Sequence, residues 1–212
     1  MATLGGCSLL PSGDGNSHQA MRPAQPVFTP TAAGRQCLSQ LGASEATFTP
    51  LPDKFYGAGC STQNTVQLAS LHGDASRTFG IANLGPVACP LAETFSGWAR
   101  YGVDRAARAV FNSPLARIET MGSYNCRNIA GSAKRSAHST ANAIDVSAFI
   151  LADGRRITVK ADWNGGSPAE KEFLRIIHTS ACKRFGTVLG PGYNAAHQDH
   201  FHLEGSGKQF CR

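Results

Sequence analysis

Ala143-Ile144-Asp145-Val146-Ser147-Ala148-Phe149-Ile150 reads as a β-strand with two unlike faces. Ile144, Val146, Ala148 and Ile150 alternate with Ala143, Asp145, Ser147 and Phe149, and successive side chains of an extended chain point to opposite sides. The aliphatic set is expected to face the core, and Asp145 to face away from it. Asp153-Gly154 follows as a hairpin signal, with Arg156 to Lys160 the expected returning strand. Ser167-Pro168-Ala169-Glu170 carries a capping box with proline at the first helical position. A helix is predicted from there to about Arg184, burying Phe173, Leu174, Ile177, Ala181 and Phe185, and Gly186 ends it. Val188-Leu189 and His200 to Leu203 are expected to be short strands.

Upstream, Pro90 to Phe111 predicts a helix whose stripe is Leu91, Phe95, Trp98, Val103 and Ala107. Leu115 to Met121 reads as a strand closed by Gly122, and Val66 to Leu71 and Thr78 to Ile81 as two more. Arg35 to Gly42 and Phe48 to Phe55 give only short, broken patterns. Helices mixed with antiparallel hairpins in this order predict an α+β fold, a single domain with a small, mainly antiparallel sheet flanked by helices. The domain is expected to span residues 34–212. Residues 1–33 are expected to form a flexible tether, because Ser8 to Ala33 is rich in Pro, Gly, Ser, Asn and Gln and holds too little apolar surface to offset the entropy of ordering it.

The formal net charge is +6, but Lys and Arg are scattered, with no dense run of the kind that binds nucleic acid. An anionic cell-surface polymer suits such a charge equally well. Seven cysteines, none in a C-x-x-C pair, speak against a zinc ribbon or a thioredoxin-like site and for disulfides formed in an oxidising compartment such as the periplasm. Six of them lie in the expected domain, and Cys182 with Cys211 is the first pairing to look for. Cys7 stands apart. It closes Leu4-Gly5-Gly6-Cys7, a run resembling a bacterial lipobox, although no apolar stretch of signal-peptide length precedes it. Membrane contact is expected only through lipidation of Cys7, since no segment approaches the length of a membrane span.

Four of the seven histidines fall in two short segments, His138 and the run His197-Gln-Asp-His200-Phe-His202. His138 sits in a loop that feeds the strand bearing Asp145, while His200 and His202 are two apart on one strand and so share a face. Neutral imidazole and carboxylate are good zinc ligands, and a catalytic zinc takes three protein ligands so that water keeps the fourth position. An asymmetric His/Asp/His set without cysteine therefore points to a catalytic zinc, although ligand type alone leaves manganese and iron open.

Ser123-Tyr-x-Cys-Arg127, Ser136-x-His138 through Asp145-Val146, Leu189-Gly-Pro-Gly-Tyr-Asn194 and His200-Phe-His202-Leu-Glu resemble the extensin-like C-terminal domain family of bacteria, over roughly Gln36 to Arg212. The metal motifs are similar to those of a wider superfamily of D-alanyl-D-alanine peptidases, murein endopeptidases and the zinc domain of hedgehog proteins. That resemblance implies His138, Asp145 and His202 as zinc ligands, and peptide crosslinks or stems of peptidoglycan as substrate. Two departures stand out. The superfamily usually has glycine where this chain has Ala141, and no glutamate closely precedes His197, since Glu170 and Glu172 lie on the predicted helix. Base duty is therefore expected to fall on His200, with His197 able to serve from the other side. Arg127 and Ser136 are candidates to hold substrate. Asp199 is read as structural or as supporting the site from behind its ligands, and Glu204 as a solvated or capping exit residue. The expectation is an exported zinc metallopeptidase of the periplasm or envelope. The alternative is a non-catalytic zinc module that binds peptidoglycan or an envelope protein.

Overall fold

The computed structural model describes residues 1–2, 30–75, 77–205, 207 and 209–212. Helix α1 (Ala32–Ala43) is capped by Thr31, whose Oγ1 accepts from the Gly34 N–H. It is followed by β1 (Thr47–Pro50), the hairpin β2 (Lys54–Gly57) and β3 (Cys60–Thr62), then β4 (Thr65–His72), β5 (Thr78–Ala82) and β6 (Val87–Ala88). Helix α2 (Cys89–Trp98) runs through a π-helical stretch, Ala99–Asp104, into α3 (Arg105–Phe111). Next come β7 (Leu115–Gly122), β8 (Ala143–Leu151), β9 (Arg156–Thr158), α4 (Val159–Gly165), α5 (Pro168–Cys182), β10 (Thr187–Leu189), β11 (Phe201–Glu204) and β12 (Phe210–Cys211). The fold is α+β, as expected, but the sheet is not small. Ten strands join in the order β1-β4-β5-β7-β8-β11-β10-β12, with β6 added to β4 and β9 to β8, while β2 and β3 pair separately. Two of its pairings, β5 with β7 and β10 with β12, are parallel.

The predicted stripe of the α2–α3 helix is buried in full, as are the five residues expected of the next helix, although α5 stops at Cys182 rather than near Arg184 and Phe185 packs from beyond its end. Trp98 and Val103 are five residues apart, one more than an α-turn supplies, and the π stretch takes up the extra residue so that both still face the core. Trp98 meets Phe149 and Phe185 edge-on, Phe149 meets Phe173 edge-on, and the Trp98 indole N–H donates to the Ile177 carbonyl at 3.0 Å. This cluster covers one face of the sheet. The opposite face is left for Asp145 and His202.

Three readings need correction. In β8 the alternation holds for Ile144, Val146 and Asp145, then reverses: Phe149 and Leu151 are buried while Ile150 is half-exposed. Glu119 pairs with Ala148 but Thr120 with Val146, so β8 carries one extra residue at this step. Such a bulge swaps the faces beyond it. The returning strand stops at Thr158 rather than reaching Lys160, because Thr158 caps α4: its Oγ1 accepts from the Ala161 N–H at 3.1 Å and its own N–H donates to Asp162 at 2.6 Å. Arg35 to Gly42, weak as a sequence signal, lies within α1.

Cys182 and Cys211 are bridged as expected, alongside Cys37–Cys89 and Cys60–Cys126. The first of the other two fastens α1 to the start of α2. The second fastens the β2–β3 hairpin to the loop that follows β7. Cys7 lies outside the described residues. No helix among the described residues is long and apolar enough to cross a membrane.

Candidate metal centre

Strand pairing builds most of the site. β11 runs antiparallel to β8 with His202 directly opposite Asp145, so the two side chains emerge together on the face away from the aromatic core. His138 is supplied by a single 3-10 turn, Ala137–Thr140, that leads into β8. Ser136 is the N-cap of this turn: it is buried, its Oγ accepts from the His138 N–H, and its carbonyl accepts from Ser139 Oγ. Its hydroxyl thus fixes the turn that carries His138 by accepting, a role compatible with the expected one of donating to substrate. The turn ends at Ala141 with φ of 54°, the left-handed region in which a side chain is strained. The glycine that the wider pattern carries there thus has a backbone reason.

His138 Nε2 stands 3.1 Å from Asp145 Oδ2 and 3.3 Å from His202 Nδ1, and His202 Nδ1 stands 2.8 Å from Asp145 Oδ1. The edge of a tetrahedron with ligands about 2.0–2.1 Å from its centre is about 3.3–3.4 Å, so this triangle is close to the size that a zinc-like ion needs. The outward nitrogens are occupied. His138 Nδ1–H donates to the Ser123 carbonyl at 3.0 Å, and His202 Nε2–H to Glu204 Oε1 at 2.9 Å. With those protons committed, His138 Nε2 and His202 Nδ1 turn lone pairs toward each other and toward a carboxylate. Three electron-pair donors at these separations repel unless a proton or a cation lies among them. The donor set therefore fits a metal ion, with partners behind both imidazoles that orient the rings and raise ligand basicity.

The electrostatics follow from the same contacts. When protons rather than a cation fill the triangle, burial alone would raise the Asp145 carboxyl, but hydrogen bonds from the protonated His138 and His202 and the charges of His138 and His200 hold it far below the usual carboxylate range. Burial works against the charged form of His202 too, yet Asp145 and Glu204 on either side push it up to about 9.

His200, buried just before β11, gives Nδ1–H to Asp199 Oδ1 at 2.8 Å and turns Nε2 toward Asp145 Oδ1 at 3.5 Å. Asp199 is thus the group that fixes the tautomer of His200 and turns its Nε2 toward Asp145. His197 donates Nδ1–H to Asn194 Oδ1 at 2.7 Å, and its ring lies tilted against His200 and edge-on to His202. Burial first, then the charges of His200 and His202, depress it to about 4, so it is a neutral imidazole at neutral pH. His197, His200 and His202 form a second group with donor atoms within 4.8 Å, sharing His202 with the first. Arg127 is exposed on the rim, where its charge adds to the depression of His197.

Glu204 was read from sequence as solvated. It is instead the partner of His202, and the signal was present: residues two apart on a strand share a face. The Ser123 carbonyl had no signal, because a backbone acceptor is invisible to residue type. Glu170 is accounted for by the capping box, its Oε2 accepting from the Ser167 N–H at 2.7 Å.

Fold and site together define a disulfide-bridged α+β domain with a buried His/Asp/His centre on the open face of its sheet. The family model for the extensin-like protein C-terminus matches residues 35–212, and the chain belongs to that family. No curated protein and no solved structure is significantly similar to it.

Proposed function

We propose that the protein is an exported zinc metallopeptidase that hydrolyses peptide bonds in peptidoglycan. The observation that carries this reading is the convergence of His138 Nε2, Asp145 and His202 Nδ1 within 3.3 Å of one another, with both outward nitrogens already bonded. The similarity of the same motifs to D-alanyl-D-alanine peptidases and murein endopeptidases supports it. Zinc at these atoms would supply an acidified water and a Lewis acid for a peptide carbonyl. His200 Nε2, its tautomer held by Asp199, is placed to accept a proton and pass it to a leaving amine. Glu204 is committed to His202, so base duty stays with His200. His197, neutral and on the rim with its Nδ1–H given to Asn194, offers Nε2 as an acceptor and second base, and Arg127 is available to meet a substrate carboxylate. Three disulfides support an oxidising compartment, which is where the cell wall lies.

The test is incubation of purified muropeptides with zinc-loaded and with chelator-stripped protein, and identification of products by mass. Zinc-dependent appearance of shortened or uncrosslinked peptides is expected. Tight zinc binding with no cleavage of any muropeptide would replace this reading with that of a zinc-stabilised binding module.

A further inference from the structure

One edge of β8 is paired with β7, while the other is shared. β11 covers Ala143 to Val146 and β9 covers Ala148 to Ile150, so the partner changes at Ser147, the point of the bulge. A groove of about 420 Å³ opens at this junction, lined by Met121, Ser147, Arg156, Thr158, Lys160 and Asp199. It adjoins the metal centre twice over. Asp199 is bonded to His200, and Ser147 is two residues from Asp145, or about 7 Å along a strand.

The groups lining it are not equally free. Arg156 is neutralised by Glu119 through Nε and Nη2 at 3.1 and 2.6 Å. Ser147 Oγ donates to the Glu119 carbonyl, Thr158 Oγ1 to Asp162, and Asp199 accepts from His200. Lys160 is exposed and makes no ion pair with any described residue. Met121, 57% exposed, supplies an apolar wall. The groove therefore offers an extended chain one apolar surface and, at Lys160, a positive charge with no ion-pair partner among the described residues, while the Asp199 carboxylate is turned to His200 at the end nearest the centre.

We infer that this groove is the subsite for an acidic residue of the peptide ligand, with Lys160 the cation that meets its carboxylate. The inference rests on the reading of the neighbouring centre as one that engages peptide. It adds that an acidic side chain or free carboxylate lies within about two residues of the bond presented there, the distance from Asp145 to the groove. Lys160 acts as a specificity-determining residue, outside the metal chemistry.

The test uses the full zinc-loaded chain and two probes, a peptidoglycan stem tetrapeptide with free carboxylates and the same peptide fully amidated. Binding is read by calorimetry and cleavage by mass in parallel samples, with zinc content and thermal melts confirming that each variant is folded and loaded. Wild type is expected to prefer the acidic peptide. Lys160→Ala should weaken that peptide by about 3- to 10-fold, between the worth of an exposed ion pair and that of a charged hydrogen bond, and leave the amide unchanged. Lys160→Glu should reverse the preference, and Lys183→Ala, on the far end of α5, should change neither. The inference is overturned if the Lys160 variants bind both peptides as wild type does, if they lose both equally, or if wild type binds neither. Cleavage without any dependence on Lys160 removes the groove and keeps the peptidase. Lys160-dependent binding without cleavage keeps the groove and removes the peptidase.

Discussion

Replacing Glu204 by Gln keeps the size of the side chain and removes its charge, which isolates what the carboxylate does for His202. In the metal-free protein His202 is raised from 6.5 to about 9 against the cost of burial, which at about 1.4 kcal/mol per pH unit is on the order of 3 kcal/mol in favour of the imidazolium. Asp145 and Glu204 both contribute to that effect, so loss of the Glu204 charge removes part of it and lowers His202. A cation on Nδ1 gains from the same carboxylate, and loss of such a partner ordinarily lowers metal affinity by about 10–100-fold. Proton and metal compete for Nδ1, so the substitution also weakens the proton that must leave. The affinity deficit of Glu204→Gln should therefore be widest near pH 9 and should narrow as pH falls toward 6.5. Competition with a chromophoric zinc chelator across that range measures it. Zinc affinity equal to wild type at pH 9 would refute the argument that Glu204 sets the basicity of His202.

His200→Ala should keep its zinc and lose roughly 10²–10⁴-fold in muropeptide cleavage, whereas His202→Ala should lose both, as atomic absorption and product analysis will tell. Ala141→Gly should raise thermal stability by about 0.5–1 kcal/mol, because relief of the left-handed alanine at φ 54° exceeds the added chain entropy; a lower melting temperature would contradict the strain. In chelator-treated protein the raised His202 contributes stability that is fully present below about pH 6.5 and lost as pH rises through about 9. Asp145, being depressed, contributes above its ordinary 3.8 and loses that contribution as pH falls. Melting temperature should accordingly decline between pH 6.5 and 9.5, and Glu204→Gln should flatten that decline. Replacing both Cys60 and Cys126 by Ser releases a loop of 66 residues, a loss of roughly 4 kcal/mol in the chain-entropy account. It should also weaken zinc binding, since the same loop holds the Ser123 carbonyl behind His138; unchanged affinity would separate the bridge from the site.

The parts legible in the sequence were those set by local patterning. The α5 capping box and its apolar positions, the α2–α3 stripe and the start of β8 all follow from periodicities of 3.6 and 2. Local patterning failed where a single residue changes phase. The bulge near Ser147 turned Phe149 inward and Ile150 outward, and Thr158, as a cap, ended a strand that composition would have continued. It failed again where an element depends on distant partners. β12 is two residues long and exists because β10 pairs with it and Cys182 bonds Cys211 beside it. For the site, His138, Asp145, His200 and His202 were legible as residue types at telling spacings, and the structure brings them together. Of the groups that hold them, Glu204 was legible from its place on the His202 face, whereas the Ser123 carbonyl and the bond from His200 to Asp199 were not, because a supporting contact leaves its mark in geometry more than in composition.

The pairing of β11 with β8 also bears on when the centre can come into being. His202 follows Asp145 by 57 residues, and a chain made from its N-terminus presents His138 and Asp145 long before their third companion. Two donors hold an ion weakly. Neither the triangle nor its supporting carboxylate, Glu204, exists until α4, α5 and β10 have been laid down and the strand carrying His202 has docked. On the proposed reading, capture of an ion would therefore belong to the finished fold, wherever folding is completed, and the metal supply that would matter is the one in that compartment.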